Sequence, residues 1–304
     1  MHPSLEVLRF LHCSLDKENI YHRRYGKEMI NEKPNANDAW LYTNNDQIDL
    51  VRRSGLYPLN IVSMNRHNCG TLSTIIERLH VETNTGHFNV DIVEMMPTLE
   101  DRWKVLRLKA TGVVVIVRRV ENYEEHIVRM IGQLPSGHSH SFIRLTWLRN
   151  RFRQIPQNYN RTTLLRYTGA YLFYLVRCTI FADFTDGTVP IIYLQFFEDI
   201  NVAGQYAWSA ATLSFLFRAL SKVVHDDHQH LSTPAIILLV IWTPYDNYPN
   251  IGEESVENIY YGLRVREIAL CRTYLICRYI CEGYMLDHVL RQFGRHQGIP
   301  ADPL

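Results

Sequence analysis

Lysine is scarce in this chain of 304 residues, and neither sign of charge dominates it. Only six of the 32 basic residues are lysines, so 26 are arginines. The formal net charge is +1, which excludes the strongly basic balance of a protein that binds nucleic acid or membrane through its whole surface. Arginine contacts carboxylates, phosphates and aromatic rings through its planar head. Since 18 tyrosines are present, arginines that fringe aromatic helices are the favoured interpretation.

The chain also lacks a long apolar run. The longest run, residues 235–242 (AIILLVIW), is much shorter than the about 20 residues that cross a bilayer, and the amino terminus lacks the apolar stretch of a secretory signal. These absences predict a soluble, intracellular protein with no membrane contact. The six cysteines form no CxxC pair, so they are expected to be reduced, buried thiols. A zinc site on Cys277 and Cys281 is conceivable from their helical spacing but disfavoured.

Recognisable catalytic signatures are missing as well. The chain has none of the GDxHG, GDxVDRG and GNHE motifs of metallophosphatases, and no Walker loop, GxGxxG, GxSxG or HExxH. A pyridoxal-phosphate enzyme needs a Schiff-base lysine, and six lysines leave few candidates. His80 and Glu82 match half of a zinc deaminase motif, but the PCxxC half is absent. We therefore predict a protein that is not an enzyme, with no catalytic, cofactor-binding or metal-binding residues.

Two acidic or histidine-rich clusters have plainer explanations. Residues 225–230 (HDDHQH) could ligate a divalent metal, but a solvated loop after a helix is favoured. Asp183, Asp186 and Asp199 could form a nuclease-like carboxylate set, but residues 183–187 (DFTDG) are typical of a turn.

Four arginines form the candidate contact surface of the chain. They are Arg144, Arg149, Arg151 and Arg153. Such a strip could contact the phosphates of nucleic acid or a protein partner. Pairing within the protein and solvation is the favoured alternative.

What the chain does contain is two segments dense in apolar residues, 71–101 and 147–220. In the second segment, Tyr206, Ala210, Leu213, Phe217 and Leu220 recur at steps of four and three, as on one face of a helix. We interpret these stripes as core rather than as a cofactor pocket. The predicted fold class is mostly α, as a single multi-helix globular domain.

Local signals add detail to this prediction. Thr71 can cap a helix that runs through His80. Asn84 and Gly86, followed by alternating apolar residues, predict a short β-hairpin near residues 84–94. A capping box at residues 98–101 predicts a helix to about residue 108.

The later and outer parts of the chain are assigned more coarsely. The β-branched run 113–117 predicts a short strand, helices are predicted after residue 135, and a longer helical region is predicted for residues 256–293 with a break at Gly283. Residues 1–54 are expected to form an accessory N-terminal arm, and residues 55–304 the domain.

Several motifs, in the same order along the chain, are similar to those of the plant mobile domain family. They are GLYPL at 55–59, IIERLHVETNT at 75–85, EMMPTLED at 94–101, WLRNRF at 147–152, RYTGAYLFYLV at 166–176, GQYAWSAATLSFLFRAL at 204–220, VIWTPYD at 240–246 and VLRQFGRHQGIP at 289–300. The resemblance rests on their shared order over most of the chain, not on any one motif. One departure is the segment TLEDRWKVLRL, where Arg102 and Arg107 stand in place of an apolar and a small residue of the family pattern.

The resemblance implies a mostly α-helical domain that is encoded by transposable elements and by plant host proteins of the MAINTENANCE OF MERISTEMS type. It implies nuclear relatives associated with transposon silencing, genome integrity and meristem function. Some are named serine/threonine-protein phosphatase 7 long form homologues and others carry an aminotransferase-like label, although a label does not establish a mechanism. We therefore expect a non-catalytic nuclear protein that acts through protein partners, among them a phosphoprotein phosphatase-like relative. The alternatives are a transposable-element-encoded protein that contacts nucleic acid through the arginine strip, and an uncharacterised enzyme.

Overall fold

The computed structural model describes residues 44–60, 75–89, 93–135, 141–181, 187–225 and 256–300. More than half of these residues are helical, which confirms the mostly α fold. The α-helices are α1 (Asn45–Arg53), α2 (Leu99–Leu106), α3 (Tyr123–Ile131), α4 (Leu145–Phe152), α5 (Arg161–Thr179), α6 (Ile200–Ala203), α7 (Trp208–His225) and α8 (Val256–Ala269). Short 3-10 helices occupy Tyr57–Asn60, Ile191–Phe197, Leu286–His288 and Leu290–Phe293. In the described part of the chain, no helix has both the length and the apolar character to cross a bilayer.

The strands of the described residues form small antiparallel units. Strands β1 (Leu79–His80), β2 (Thr85–Asn89) and β3 (Val93–Met95) make a three-stranded sheet, β4 (Phe142–Arg144) pairs with β5 (Thr188–Pro190), and β6 (Thr273–Cys277) pairs with β7 (Ile280–Tyr284). The β2–β3 pair, in which His87 lies opposite Glu94, confirms the hairpin predicted near residues 84–94.

The main core surrounds Trp208, the first residue of α7. Its indole N–H donates to the carbonyl oxygen of Ala203 at 2.8 Å. The rings of Phe196 and Phe197 pack on it with centroids 5.9 and 6.3 Å away. Phe173, from the buried face of α5, belongs to the same fully enclosed cluster. Of the stripe predicted from residue spacing, Leu213, Phe217 and Leu220 are buried in the core, whereas Tyr206 precedes α7 and is, like Ala210, half-buried.

A second core cluster lies along the later part of α7. Most of its members come from α7, from the β6–β7 hairpin and from the segment that follows it, and include Leu213, Leu216, Phe217, Leu220, Leu275, Tyr284, Leu286 and Val289. The Tyr284 hydroxyl donates to the carbonyl oxygen of Ala269 at 2.8 Å. This bond ties the hairpin to the end of α8.

The capping box at the start of α2 is present as predicted. The N–H of Asp101 donates to Thr98 Oγ1 at 3.2 Å, and the N–H of Thr98 donates to the Asp101 carboxylate at 2.8 Å. These bonds satisfy two main-chain groups that a helix start otherwise leaves free. The helix ends at Leu106, because Arg107 takes a left-handed conformation (φ 52°) and its N–H closes the last turn on the carbonyl oxygen of Trp103.

The helical prediction for residues 256–293 is wrong between Ala269 and Leu286. These residues form the β6–β7 hairpin, in which Cys277 pairs with Ile280 and Arg278 takes φ 61° at the turn, and only short 3-10 helices follow it. Leu275 and Cys277 are buried whereas Ile276 is exposed, the period of two that a half-buried strand requires. The exposed face of β6 is itself apolar, so the sequence does not show this alternation.

Two other local predictions are only partly correct. Of the helix predicted for residues 71–80, the start lies outside the described residues, residues 75–77 are helical, and Leu79–His80 pairs with β2 as strand β1. The strand predicted at 113–117 is reduced to two isolated bridges, Val113 with Tyr206 and Val115 with Cys277. No continuous β-ladder forms along this described segment, because it pairs with Tyr206 at one position and with Cys277 at another.

Helix α1 packs into the main core through Val51, which is fully buried. Asn44 caps the helix by accepting the N–H of Asp46 at 2.9 Å. Gly55 follows its end at φ 70°, the left-handed conformation in which a glycine commonly closes a helix. Residues 1–43 lie outside the described residues, so the division into an arm (1–54) and a domain (55–304) stays a prediction.

Candidate functional site

An open groove lies on the surface between residues 113–129 and residues 195–206. Its volume is about 860 Å³. One wall is the extended segment 113–122 with the first turns of α3. The other wall is the end of the 3-10 helix Ile191–Phe197, the turn at residues 198–199, α6 and Tyr206. We call this feature the surface groove.

Three polar side chains of the surface groove form a linked group. Arg129 donates to Glu198 Oε1 at 2.7 Å, and the same guanidinium nitrogen lies 3.0 Å from Nδ1 of His126. The His126 side chain is buried, whereas those of Arg129 and Glu198 are largely exposed. Burial and the charge of Arg129 lower the pKa of His126 despite the opposing effect of Glu198. The ring is therefore neutral at pH 7 and Nδ1 accepts from Arg129, which assigns the proton to Nε2.

A glutamine joins the two walls. Gln195 Oε1 accepts the main-chain N–H of Arg118 at 2.7 Å, and its Nε2 donates to the carbonyl oxygen of Arg118 at 3.3 Å. The side chain thus pairs with the extended segment as a neighbouring strand would. The Arg118 side chain itself is exposed. Nearby, burial raises the pKa of Tyr206, with Arg118 acting to lower it and Glu198 to raise it.

Aliphatic side chains complete the lining of the surface groove. Val113, Val114, Ile116 and Val202 all line it and are 48, 41, 52 and 38% exposed. Single exposed aliphatic residues are ordinary, but a group of them in one concave site is typical of a surface that another molecule covers.

The arginine strip predicted from the sequence lies on β4 and α4 and does not line the surface groove. Arg144, Arg151 and Arg153 are exposed and Arg149 is half-buried. Arg149 and Arg153 are four residues apart and share one flank of the helix, while Arg151 projects from the other flank. The buried residues Leu148 and Phe152 lie between them. Whether these arginines contact nucleic acid or a partner stays a prediction.

Among the residues that the structure describes, no three His, Cys, Asp or Glu side chains are grouped as ligands of a metal ion. Cys277 and Cys281 lie on facing strands of the β6–β7 hairpin and not on one helix, with Cys277 buried and Cys281 exposed. Burial raises the pKa of the Cys277 thiol. Asp199 caps α6 by accepting the N–H of Asn201 at 2.8 Å. His225 is the last residue of α7, whereas residues 182–186 and 226–230, which contain the other members of the two polar clusters, lie outside the described residues.

Comparison with known families agrees with the order of the motifs. The family model described as Plant mobile domain matches residues 55–243. The chain belongs to the plant mobile domain family.

Curated relatives of this plant mobile domain come from Arabidopsis thaliana. Protein MAIN-LIKE 2 is 37% identical over 212 residues, which are 69% of this chain and 31% of that protein. Protein MAINTENANCE OF MERISTEMS is 33% identical over 201 residues, 65% of this chain and 41% of that protein. Serine/threonine-protein phosphatase 7 long form homolog is 26% identical over 190 residues, 62% of this chain and 14% of that protein. The chain thus spans less than half the length of each of these three relatives. No solved structure matches it.

Within this plant mobile domain, the altered segment TLEDRWKVLRL places an arginine in the core. Arg102 lies between Leu99 and Leu106 on the buried face of α2 and is fully buried. None of its three guanidinium nitrogens has a hydrogen-bond acceptor among the described residues. Burial lowers the pKa of Arg102 to about 10, an effect that Asp101 partly opposes. Arg107, in contrast, is exposed and lies 5.9 Å from the ring of Trp103.

The sequence does not reveal the surface groove of this plant mobile domain. Arg118 and Gln195, which join its walls, are 77 positions apart in the chain. The one local signal is the run VVVIVRRVE at 113–121, where β-branched residues give way to charged ones. That run is equally typical of a buried strand with a polar end, so the tertiary structure is needed to separate the two.

Proposed function

We propose that this chain is a non-catalytic plant mobile domain protein that acts in the nucleus through protein partners, in transposon silencing, genome integrity or meristem development. Family membership and the name of one relative, MAINTENANCE OF MERISTEMS, support the proposal. The observation that carries it is the surface groove, where aliphatic side chains stay exposed beside charged ones. That mixture is typical of a surface that binds another protein chain.

A phosphoprotein phosphatase-like protein is the first partner that we propose. One relative is named Serine/threonine-protein phosphatase 7 long form homolog, and its similarity to this chain covers 14% of its length. A segment similar to this domain therefore shares one polypeptide with other segments in that protein. Domains that work side by side in one chain can also associate as separate chains.

Affinity purification from plant nuclei tests this proposal. The tagged chain would be expressed in the plant, and the proteins recovered from isolated nuclei would be compared with those recovered by the tag alone. We expect the same proteins to be enriched in replicate purifications, with a phosphatase-related protein among them. If the chain is absent from nuclei, or if no protein is enriched above the tag alone, the proposal is wrong.

Contact with nucleic acid is the second candidate function, because Arg144, Arg151 and Arg153 are exposed. Arginines that contact phosphates displace counterions, so the affinity falls as salt rises. If the strip binds DNA or RNA, fluorescence anisotropy should show an affinity that drops between about 50 and 200 mM salt. The drop should become shallower when Arg149, Arg151 and Arg153 are replaced by glutamine. Binding that is absent or insensitive to salt would eliminate this candidate.

A further inference from the structure

We infer that a second pocket of this chain binds a small organic acid, in which a compact apolar group carries one carboxylate. The pocket has a volume of about 360 Å³, which lies in the range of small-molecule sites. Its lining comes from α3, α5, α6 and the end of the 3-10 helix Ile191–Phe197, and it shares Arg129 and Glu198 with the surface groove. We call this feature the side pocket.

One wall of the side pocket is a single face of α5. Its residues follow one another at positions i, i+3, i+4 and i+7, which lie on the same side of a helix. They are Thr162, Leu165, Arg166 and Gly169. The other walls add three apolar side chains, those of Met130, Phe197 and Ile200. The lining is therefore mainly apolar, with a few polar groups, as is usual for a site that holds a small molecule.

Gly169 keeps part of the side pocket open. It lies within the 19 residues of α5, where glycine is less favourable than any residue except proline. The packing of neighbouring elements does not require a glycine, because a Cβ built at this position would meet none of their atoms within 4 Å. The missing side chain therefore leaves space in the side pocket and does not make room for another element.

Arg166 gives the side pocket a positive charge that no carboxylate of the described structure neutralises. Its Nε is enclosed and has no hydrogen-bond acceptor among the described residues. The guanidinium lies against Gly132, where a Cβ would come within 2.8 Å of one of its terminal nitrogens. Gly132 ends α3, and the negative end of a helix dipole favours a cation there. The guanidinium is thus held in place while it remains available to an anion.

The charges of the side pocket favour a ligand with one carboxylate. The lining carries two arginines and one glutamate, and Arg129 pairs with Glu198 at 2.7 Å. Arg166 is left as the uncompensated charge, and the planar fork of an arginine matches the two oxygens of a carboxylate. A second acidic group on the ligand would approach Glu198 or the apolar walls, so a diacid fits less well.

Titration of the full chain with a small acid tests the inference. The probe is isocaproate, a branched aliphatic acid, and the comparison compound is its amide, which has a similar shape without the charge. Saturation-transfer NMR gives both affinities. We expect isocaproate to bind at least about tenfold tighter than the amide, because a carboxylate forms charge-assisted hydrogen bonds with the guanidinium.

Two substitutions separate the charge of the side pocket from its space. Arg166→Gln should weaken the binding of isocaproate about tenfold and leave that of the amide unchanged, a difference that a general loss of structure would not produce. Gly169→Leu should abolish the binding of both compounds, because its side chain occupies the pocket. Since leucine forms helices better than glycine, the melting temperature of this variant should not fall.

The matched control is Arg161→Gln, which removes the same charge from an exposed position of α5 outside the side pocket. This control should leave both affinities unchanged. Equal affinities for the acid and the amide, no binding of either, an equal loss in the control, or full binding by Gly169→Leu would overturn the inference.

A pentapeptide that ends in leucine with a free carboxylate is the last probe. If this peptide binds through Arg166 while isocaproate does not bind, the inference fails, because the side pocket then takes the end of a partner chain. The recovery of partners from nuclei is measured separately, so the failure of either proposal leaves the other to stand on its own test.

Discussion

Replacement of Arg102 by methionine is expected to stabilise the protein, although it changes a fully buried side chain. Arg102 is fully buried in α2, and its guanidinium has no acceptor among the described residues. Burial lowers its pKa to about 10, against about 12.5 in water. Since one pH unit corresponds to about 1.4 kcal/mol, holding the charge in the core costs about 3 kcal/mol.

Methionine keeps most of the apolar stem and removes the charge, so most of this cost should be recovered. The smaller side chain leaves some space unfilled, which returns part of the gain. We expect the free energy of unfolding at pH 7 to rise by about 1–3 kcal/mol, within the range for removing buried charges. In guanidinium chloride the midpoint should move to higher concentration with an unchanged slope.

Arg177→Met is the matched control, because Arg177 is also buried but has partners. Its Nε donates to the carbonyl oxygen of Thr188 at 2.8 Å, and one terminal nitrogen donates to that of Phe181 at 3.3 Å. The substitution leaves these buried acceptors without their donor. We expect a loss of about 2–4 kcal/mol. The two variants should therefore shift the midpoint in opposite directions.

The pH dependence gives a second check on Arg102. Its folded pKa is lowered, so the unfavourable contribution is complete below pH 10 and fades as the pH rises toward the pKa of the unfolded chain. The advantage of Arg102→Met over the unmodified chain should shrink as the pH is raised from 9 to about 11. A destabilisation by Arg102→Met as large as that by Arg177→Met would refute the reasoning, because it would mean that the guanidinium is paired in the folded protein.

Thr98→Ala should lower the free energy of unfolding by about 1–2 kcal/mol, because the capping box of α2 is lost; a change in the urea midpoint too small to measure would contradict this. His126→Gln should reduce the loss of stability between pH 7 and 5. The lowered pKa of His126 means that its contribution is complete above a pH of about 6.5 and is lost as the pH falls through the folded pKa. An unchanged slope of urea midpoint against pH would count against the assignment. Trp208→Ala should cost about 3–5 kcal/mol, whereas Tyr260→Ala, at a side chain that is 69% exposed, should change stability by less than about 0.5 kcal/mol. Thermal unfolding of the two variants compares them directly.

Features that depend on near neighbours in the chain were predictable from the sequence. The capping box at Thr98, the hairpin near residues 84–94 and the buried face of α7 each require only the spacing of residues within one turn or one pair of strands. The β6–β7 hairpin was not predictable in this way. Its exposed residues Tyr274 and Ile276 are as apolar as its buried ones, so composition favours a helix, and only the packing of the hairpin on α7 distinguishes the two.

The candidate sites differ in the same way in whether the sequence alone predicts them. The arginines at 144–153 were visible because they are close in sequence, yet α4 separates them onto two flanks of a buried ridge. The surface groove was not visible because its walls come from segments that are distant in the chain and joined through Gln195. Likewise, the sequence shows Arg102 as a departure from the family pattern, but only packing shows that the guanidinium is buried without an acceptor in the described structure.

The sequence by itself determined the family, the mostly α architecture and the aromatic core, because each depends on the order and periodicity of residues along the chain. The tertiary structure alone decided which β-branched residues remain exposed, which arginines lie in the core and which distant segments form the walls of the surface groove. The physical reason is that solvent exposure and charge compensation depend on which distant residues come into contact. Local patterns constrain those contacts only weakly.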